Sequence, residues 1–337
     1  MPRRSLDVRA EKLRLAAPFR ISGYVFEATD AILVTLTEGP HQGRGEASGV
    51  YYLGDDLEHM LVEIEAHREA IEAGIGREAL RQAMPPGGAR NAVDCALWDL
   101  EAARSGRAAW MLAGLDGPRP LVTTFTLGAD DPERMARAAV AHEGAKAIKI
   151  KLTGEIELDL DRVSAVREAL PEAWIGVDAN QGFARADLPL LVEGLVAFRI
   201  SLLEQPLARG AEAELEGFRS AIPIAADESA LTLADLPGLV GRFDVINIKL
   251  DKCGGLTEGL MMAAEARRLG FEVMVGNMVG TSLAMAPAFL VGQLCDYVDL
   301  DGPTFLAEDR SPAAHYAEGE IFVGPEVWGG GTAMAAE

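Results

Sequence analysis

Along residues 5–16 apolar and polar positions alternate as in a strand, and Ala31–Thr37 (AILVTLT) reads as a second strand before the turn-rich run Gly39-Pro40-His41-Gln42-Gly43-Arg44-Gly45. A period of two marks strands with one buried face, so this part predicts an antiparallel meander. Over Leu57–Ala73 and Ala89–Ser105 the apolar positions recur at helical spacing, and Pro85-Pro86-Gly87-Gly88 breaks the chain between them. The first part is therefore predicted to be α+β. Pro18–Tyr24, between the first strands, and Val50–Gly54, after the third, read as exposed loops with aromatic and charged tips, placed to cap something.

From about residue 121 the texture changes. Short apolar runs (Leu121–Leu127, Ala147–Leu152, Trp174–Asp178, Ile200–Glu204, Ile222–Asp227, Val245–Leu250, Glu272–Gly276 and Tyr297–Asp301) alternate with helix-patterned segments such as Pro132–His142 and Leu256–Leu269. The period of roughly 25 residues is that of repeated βα units and predicts a (β/α) barrel. A doubly wound open sheet has a similar rhythm, but it usually shows a glycine fingerprint after its first strand, and none follows Leu121–Leu127. The segment from Pro303 has no helical period and is expected to return to the first domain. The predicted fold class is α/β: a modified (β/α) barrel of TIM type over residues 119–302, an N-terminal α+β capping domain over 1–118, and a C-terminal tail, 303–337, that completes the cap.

Composition narrows the function. A chain of 337 residues, 49% of them hydrophobic, can bury a sizeable core. Its 31 basic and 52 acidic residues give a formal charge of −21, which argues against nucleic acid and anionic membranes as partners and makes an anionic ligand depend on clustered cations. Cys95, Cys253 and Cys295 are scattered, which suggests neither a disulfide framework nor a zinc site and fits a reducing cytoplasm. Met1–Phe19 is interrupted by charge and has no apolar signal core, and no later run is long enough to span a bilayer, so the expected location is cytoplasmic. None of the five histidines falls at a barrel strand end, and all are expected at the surface. Met274, Met278 and Met285 are expected in the core.

In a barrel of this kind the carboxyl ends of the strands carry the chemistry. Here those ends bear Lys151, Asp178, Glu204, Asp227 and Lys249 in strand order. Lys149 and Lys151, at i and i+2 in Ala147–Leu152, share one face, where each cation is expected to lower the other's pKa toward that of a base. Three carboxylates on one rim need a cation, and oxygen-only ligation with room for water and substrate suits Mg²⁺. Lys151 and Lys249, on the second and sixth strands, stand on opposite sides of an eight-stranded ring and can address two faces of one carbon. Asp299 and Asp301 share a face at the last strand and can clamp an ammonium group. Gly254-Gly255 reads as a tight turn rather than a phosphate loop.

The set Lys149-x-Lys151, Asp178-x-Asn180, Glu204-Gln205-Pro206, Asp227-Glu228-Ser229 and Asn247-Ile248-Lys249 resembles the enolase superfamily in its muconate-lactonising branch, over essentially the whole chain. Asp299-Leu300-Asp301 is similar to the Asp-x-Asp of the dipeptide epimerases in that branch. The resemblance implies Asp178, Glu204 and Asp227 as Mg²⁺ ligands and Lys151 and Lys249 as the acid/base pair. It implies Lys149 as an auxiliary cation beside the substrate carboxylate, with Asn180, Asp299 and Asp301 on the substrate. Tyr24 stands where members that read a glutamate side chain often carry arginine, which makes Arg20 the candidate for that contact. The implied activity is an isomerase: a Mg²⁺-dependent epimerisation of a small dipeptide of the L-Ala-D/L-Glu type, of peptidoglycan origin, by two-lysine 1,1-proton transfer. N-acylamino-acid racemase, o-succinylbenzoate synthase and cycloisomerase activities of the same branch are the alternatives, and a homo-oligomer is compatible with all of them.

Overall fold

The computed structural model describes residues 4–21, 24–142 and 144–331, with the backbone alone at Ile21 and Tyr24. Strands β1 (Ser5–Ile21), β2 (Tyr24–Glu38) and β3 (His41–Ala47) form an antiparallel sheet in that order. Most of the Pro18–Tyr24 stretch is strand rather than loop. The β1–β2 ladder shifts register between Arg14 and Phe19, where Pro18 has no N–H to offer, and then resumes to Ile21 opposite Tyr24. Helices α1 (Leu57–Glu72), α2 (Arg77–Ala83) and α3 (Gly88–Ser105) cover this sheet. Ile32, Val34 and Leu36 point into a core shared with Ala92, Val93 and Leu100 of α3.

The approach of α3 to β3 is close because Gly43 and Gly45 lie two apart on one face of the strand. An added Cβ would meet Ala96 O at 2.2 Å from Gly43 and Ala92 O at 2.1 Å from Gly45. Gly45→Ala is therefore expected to destabilise the protein by about 1–3 kcal/mol, the usual cost of overpacking. Thermal unfolding checks it, and an unchanged Tm would show that the helix can back away freely.

After α4 (Ala109–Leu112), the predicted strand Leu121–Leu127 is two strands, β4 (Leu121–Val122) and β5 (Thr124–Leu127). The barrel then runs β5, α5 (Pro132–Ala141), β6 (Ala147–Lys151), α6 (Ile156–Ala169), β7 (Trp174–Asp178), α7 (Leu188–Ala197), β8 (Leu202–Glu204), β9 (Ile224–Ala226), α8 (Leu236–Leu239), β10 (Val245–Ile248), α9 (Leu250–Cys253), α10 (Leu256–Leu269), β11 (Glu272–Val275), α11 (Ser282–Gly292) and β12 (Tyr297–Val298). Strands β5 to β12 pair in parallel, in chain order, in one eight-stranded sheet. Side chains join its two ends: Asp299 Oδ1 accepts from Thr124 Oγ1 (2.5 Å), Asp301 Oδ2 from Thr126 N (2.6 Å), and Thr123 Oγ1 from Leu300 N (2.9 Å).

β4 leaves the barrel to pair with β14 (Glu320–Phe322), itself paired with β13 (His315–Ala317). The tail also touches the first three strands: Ala307 N donates to Arg14 O (2.8 Å) and Trp328 Nε1 to Arg44 O (2.9 Å). Gly254 and Gly255 take φ of 79° and 117° and pack against Arg90 and Asp94 of α3, so the pair makes a tight turn under a helix. Among the described residues no helix is long and apolar enough to cross a membrane.

Candidate active site

Strand alternation places the first residues of the site. Ile148 and Ile150 point outward into the main core, and Lys149 and Lys151 point inward, as the i, i+2 spacing requires. Below them the barrel is filled by Leu202, Ala225, Val245 and Met274, with Trp174 and Tyr297 packed against that layer. The register sets Lys151 beside Asp178 and Asp178 beside Glu204. Asp227 and Lys249 follow one residue after β9 and β10, where pairing has ended. Each of Asp178, Glu204 and Asp227 offers an oxygen within 4.8 Å of the others, and all three are buried.

Ammonium groups surround the three acids. Lys151 Nζ is 2.6 Å from Asp178 Oδ2, and Lys249 Nζ is 2.6 Å from Asp227 Oδ2. Lys149 Nζ lies 2.7 Å from Glu204 Oε2, 2.8 Å from Asp299 Oδ2 and 3.3 Å from Asp178 Oδ2. A fourth lysine, Lys252, donates to Asp227 Oδ1 and to the carbonyls of Asp227 and Asn247 (2.6, 2.6 and 3.0 Å). Gln205 ties two strand ends together: its Oε1 accepts from Asp227 N (3.0 Å) and Ser229 N (3.1 Å). Asn247 Nδ2 donates to Glu204 Oε1 at 2.8 Å, and Asn180 N to Asp178 Oδ1 at 2.9 Å.

For Lys149 the electrostatics run opposite to the lysine-pair expectation. Burial pulls Lys149 and Lys249 down, but nearby carboxylates, Asp299 and Glu204 for the first and Asp227 for the second, outweigh it and hold both well up. A lysine inside a ring of acids is governed by the acids and not by its neighbouring lysine. Burial would raise Asp178, yet Lys151 and Lys149 bring it down to about 2. Glu204 goes the other way, to about 7, through burial and the Asp178 charge. Its Oε2 is ion-paired with Lys149 at 2.7 Å and its Oε1 accepts from Asn247, so both oxygens are fixed toward the site. Three buried carboxylates offering hard oxygen donors at short mutual range fit Mg²⁺ held by Asp178, Glu204 and Asp227.

A cavity opens above these groups. Lys151, Lys249, Asp227, Glu228 and Asn180 line its barrel side, and Phe19, Phe26, Tyr51 and Tyr52 of the first domain line the other, with Met278. Tyr51 and Tyr52 lie in a single 3-10 turn that ends at Leu53, so the Val50–Gly54 run does cap the site. Met278 faces this cavity while Met274 and Met285 are core. Asp299 and Asp301 are buried and engaged with β5 and Lys149, and neither lines the cavity. Arg20 is exposed and lines a separate cleft with Thr126 and Phe305, beyond the Phe19–Phe305 ring contact. The side chain of Tyr24 lies outside the described residues.

Lys252 and Glu228 join the site although the sequence alone assigns neither of them a role. Glu228 is 3% exposed, its Oε2 has no partner among the described residues, and burial and the Asp227 charge push it up to about 8. The available signals are proximity in sequence, Glu228 next to Asp227 and Lys252 three residues after Lys249, and neither spacing distinguishes a buried group from a solvated one.

Residues 132–334 match the family model for enolase C-terminal domain-like proteins, and residues 3–114 match that for the mandelate racemase / muconate lactonizing enzyme N-terminal domain. The chain belongs to the enolase superfamily. It is 38% identical to the L-Ala-D/L-Glu epimerase of Escherichia coli (strain K12), over 94% of this chain and 99% of that one. It is 42% identical to the N-acetyl-D-glutamate racemase of a Pseudoalteromonas species, over 73% and 78% of the two chains. Among solved structures, an enolase family member from Agrobacterium tumefaciens with homology to dipeptide epimerases, holding sodium and L-Ala-L-Glu, superposes with a TM-score of 0.92 at 43% identity, covering 97% of this chain and all 100% of that one. The superfamily's two-part build corresponds here to the β1–β3 sheet with its helices and to the eight-stranded barrel.

Proposed function

We propose that this enolase-superfamily protein is a Mg²⁺-dependent dipeptide epimerase that inverts the α-carbon next to the C-terminal carboxylate. The observation that carries the reading is the placement of Lys151 and Lys249 on the second and sixth of eight barrel strands, facing one cavity, each against a different acid of the triad. A substrate carbon between them presents one face to each. One lysine, as neutral amine, takes the α-proton and becomes ammonium, and the other, as ammonium, returns a proton to the opposite face, so the stereocentre inverts. A cation held by the triad supplies positive charge beside the substrate carboxylate, which gains negative charge as the proton leaves. Lys149, fixed between Glu204 and Asp299, adds a permanent positive charge on the same side.

The preferred substrate is L-Ala-D/L-Glu, in keeping with the Escherichia coli relative and with the dipeptide held by the Agrobacterium structure. Such a peptide arises in peptidoglycan turnover. Beyond the metal triad, Glu228 faces the cavity with an oxygen unpartnered among the described residues and favours a free amino terminus over an N-acyl group, because an acylated substrate brings no cation to that buried carboxylate. One observation favours a second reading of the side chain next to the reacting carbon. Among the described residues the cavity's only cations are the two lysines, and its outer wall is aromatic and aliphatic, which suits an apolar residue. Arg20 offers the carboxylate of Glu a contact only from the neighbouring cleft.

The test is kcat/KM for L-Ala-L-Glu, L-Ala-L-Leu and N-acetyl-L-Glu, with wild type and Arg20→Leu. Both dipeptides are expected to exceed the N-acetyl compound by about tenfold or more, the scale of 1–3 kcal/mol for an unpaired buried polar group. Better turnover of N-acetyl-L-Glu would assign the racemase activity instead. If Arg20 reaches the side chain, Arg20→Leu lowers the Ala-Glu to Ala-Leu ratio, and an unchanged ratio excludes that role.

A further inference from the structure

We infer that Asp251 is a positioning residue for the substrate-binding wall: it latches the turn that carries Tyr51 and Tyr52 to the loop that carries Lys249. The inference rests on the dipeptide reading for its kinetic test and on geometry alone for its structural one. Asp251 sits two residues after Lys249, in the first turn of α9, and is 7% exposed. It leaves the cavity to the lysine and turns toward the first domain. There its Oδ1 accepts from two consecutive backbone N–H groups, Ser48 N at 2.9 Å and Gly49 N at 3.0 Å.

Two successive N–H groups aimed at one oxygen form a small anion-binding nest, which needs a left-handed residue. Gly49 supplies it, with φ of 71°, and a Cβ there would lie 2.1 Å from Asp55 O. From this nest the chain runs straight into the wall. Val50 and Asp55 exchange two backbone hydrogen bonds (3.1 and 3.3 Å) that close a loop around Tyr51–Leu53. The far end of the loop is held within its own domain, since Asp55 Oδ2 accepts from Gly88 N at 2.7 Å. Its near end is held by the barrel, through Asp251 and through the bond from Ser48 Oγ to Val279 O at 2.7 Å. One side chain from the Lys249 loop, together with the Val279 carbonyl, thus sets where the aromatic wall stands relative to that lysine. Asp251 acts on the width of the cavity and not on the proton transfer itself.

The experiment compares Asp251→Ala and Asp251→Asn with wild type. In Asp251→Ala, KM for L-Ala-L-Leu should rise about tenfold with kcat within twofold, while kcat/KM for L-Ala-L-Ala, whose methyl group hardly reaches the wall, should change less than threefold. Asp251→Asn, which keeps an acceptor for both N–H groups, should restore most of the KM. Hydrogen exchange followed by mass spectrometry gives a reading independent of activity: amides of residues 48–54 should lose protection in Asp251→Ala and keep it in Asp251→Asn, with the α3 amides unchanged in both. Unchanged protection over 48–54 overturns the latch, as does an equal loss of kcat/KM for both peptides. A wild type without epimerase activity would overturn the dipeptide reading and leave the exchange result to decide the latch.

Discussion

Lys151→Arg and Lys249→Arg each lose epimerisation by on the order of 10² to 10⁴, the usual contribution of a positioned acid or base. The residual chemistry is expected to separate the two. In D₂O each variant still exchanges the α-proton of one isomer, through the lysine that remains, and the isomer exchanged by one variant is the isomer left untouched by the other. The geometry behind this is the placement on the second and sixth strands of an eight-stranded sheet, facing one cavity. Arginine keeps the charge beside Asp178 or Asp227 but does not give up a proton near neutral pH, so charge and proton transfer are tested apart. Normal epimerisation by either variant would point to one-base chemistry, as in the synthase and cycloisomerase alternatives.

Removing the metal, or any one of its ligands, has an effect of similar size. EDTA-treated protein is expected to lose activity and to regain it with Mg²⁺, and Asp178→Asn, Glu204→Gln and Asp227→Asn are each expected to lose Mg²⁺ affinity and most turnover. The three substitutions should differ in stability. Asp227 is, among the described residues, the one acid paired with each of two buried ammonium groups, Lys249 and Lys252, whereas Asp178 holds only Lys151 by itself and shares Lys149 with Glu204 and Asp299. Uncoupling a buried pair costs about 3–5 kcal/mol, so Asp227→Asn should lower Tm the most. Titration calorimetry with Mg²⁺ and thermal melts of the metal-free proteins read the two effects separately. Full activity after chelation would remove the metal from the mechanism.

Much of the site was legible because it depends on short-range rules. Lys149 and Lys151 share a face because strand side chains alternate, and the three acids converge because each closes one βα repeat. The sequence alone determined the repeat of strands and helices, the inward placement of Lys149 and Lys151 and the positions of the five rim residues, since periods of two and of 3.6 are written into consecutive residues. Only the tertiary structure decided the rest. Leu121–Leu127 divides because β4 finds its partner in a tail strand about 200 residues later in the chain, at Glu320–Phe322. Asp299 and Asp301 turn to β5 because closing the ring brings the last strand against the first. Lys149 is held up, against the expectation from its pairing with Lys151, because acids from four other strand ends crowd around it. Pairing across the fold, burial and the sum of charges in a closed space are properties of residues distant in sequence, and no local spacing encodes them.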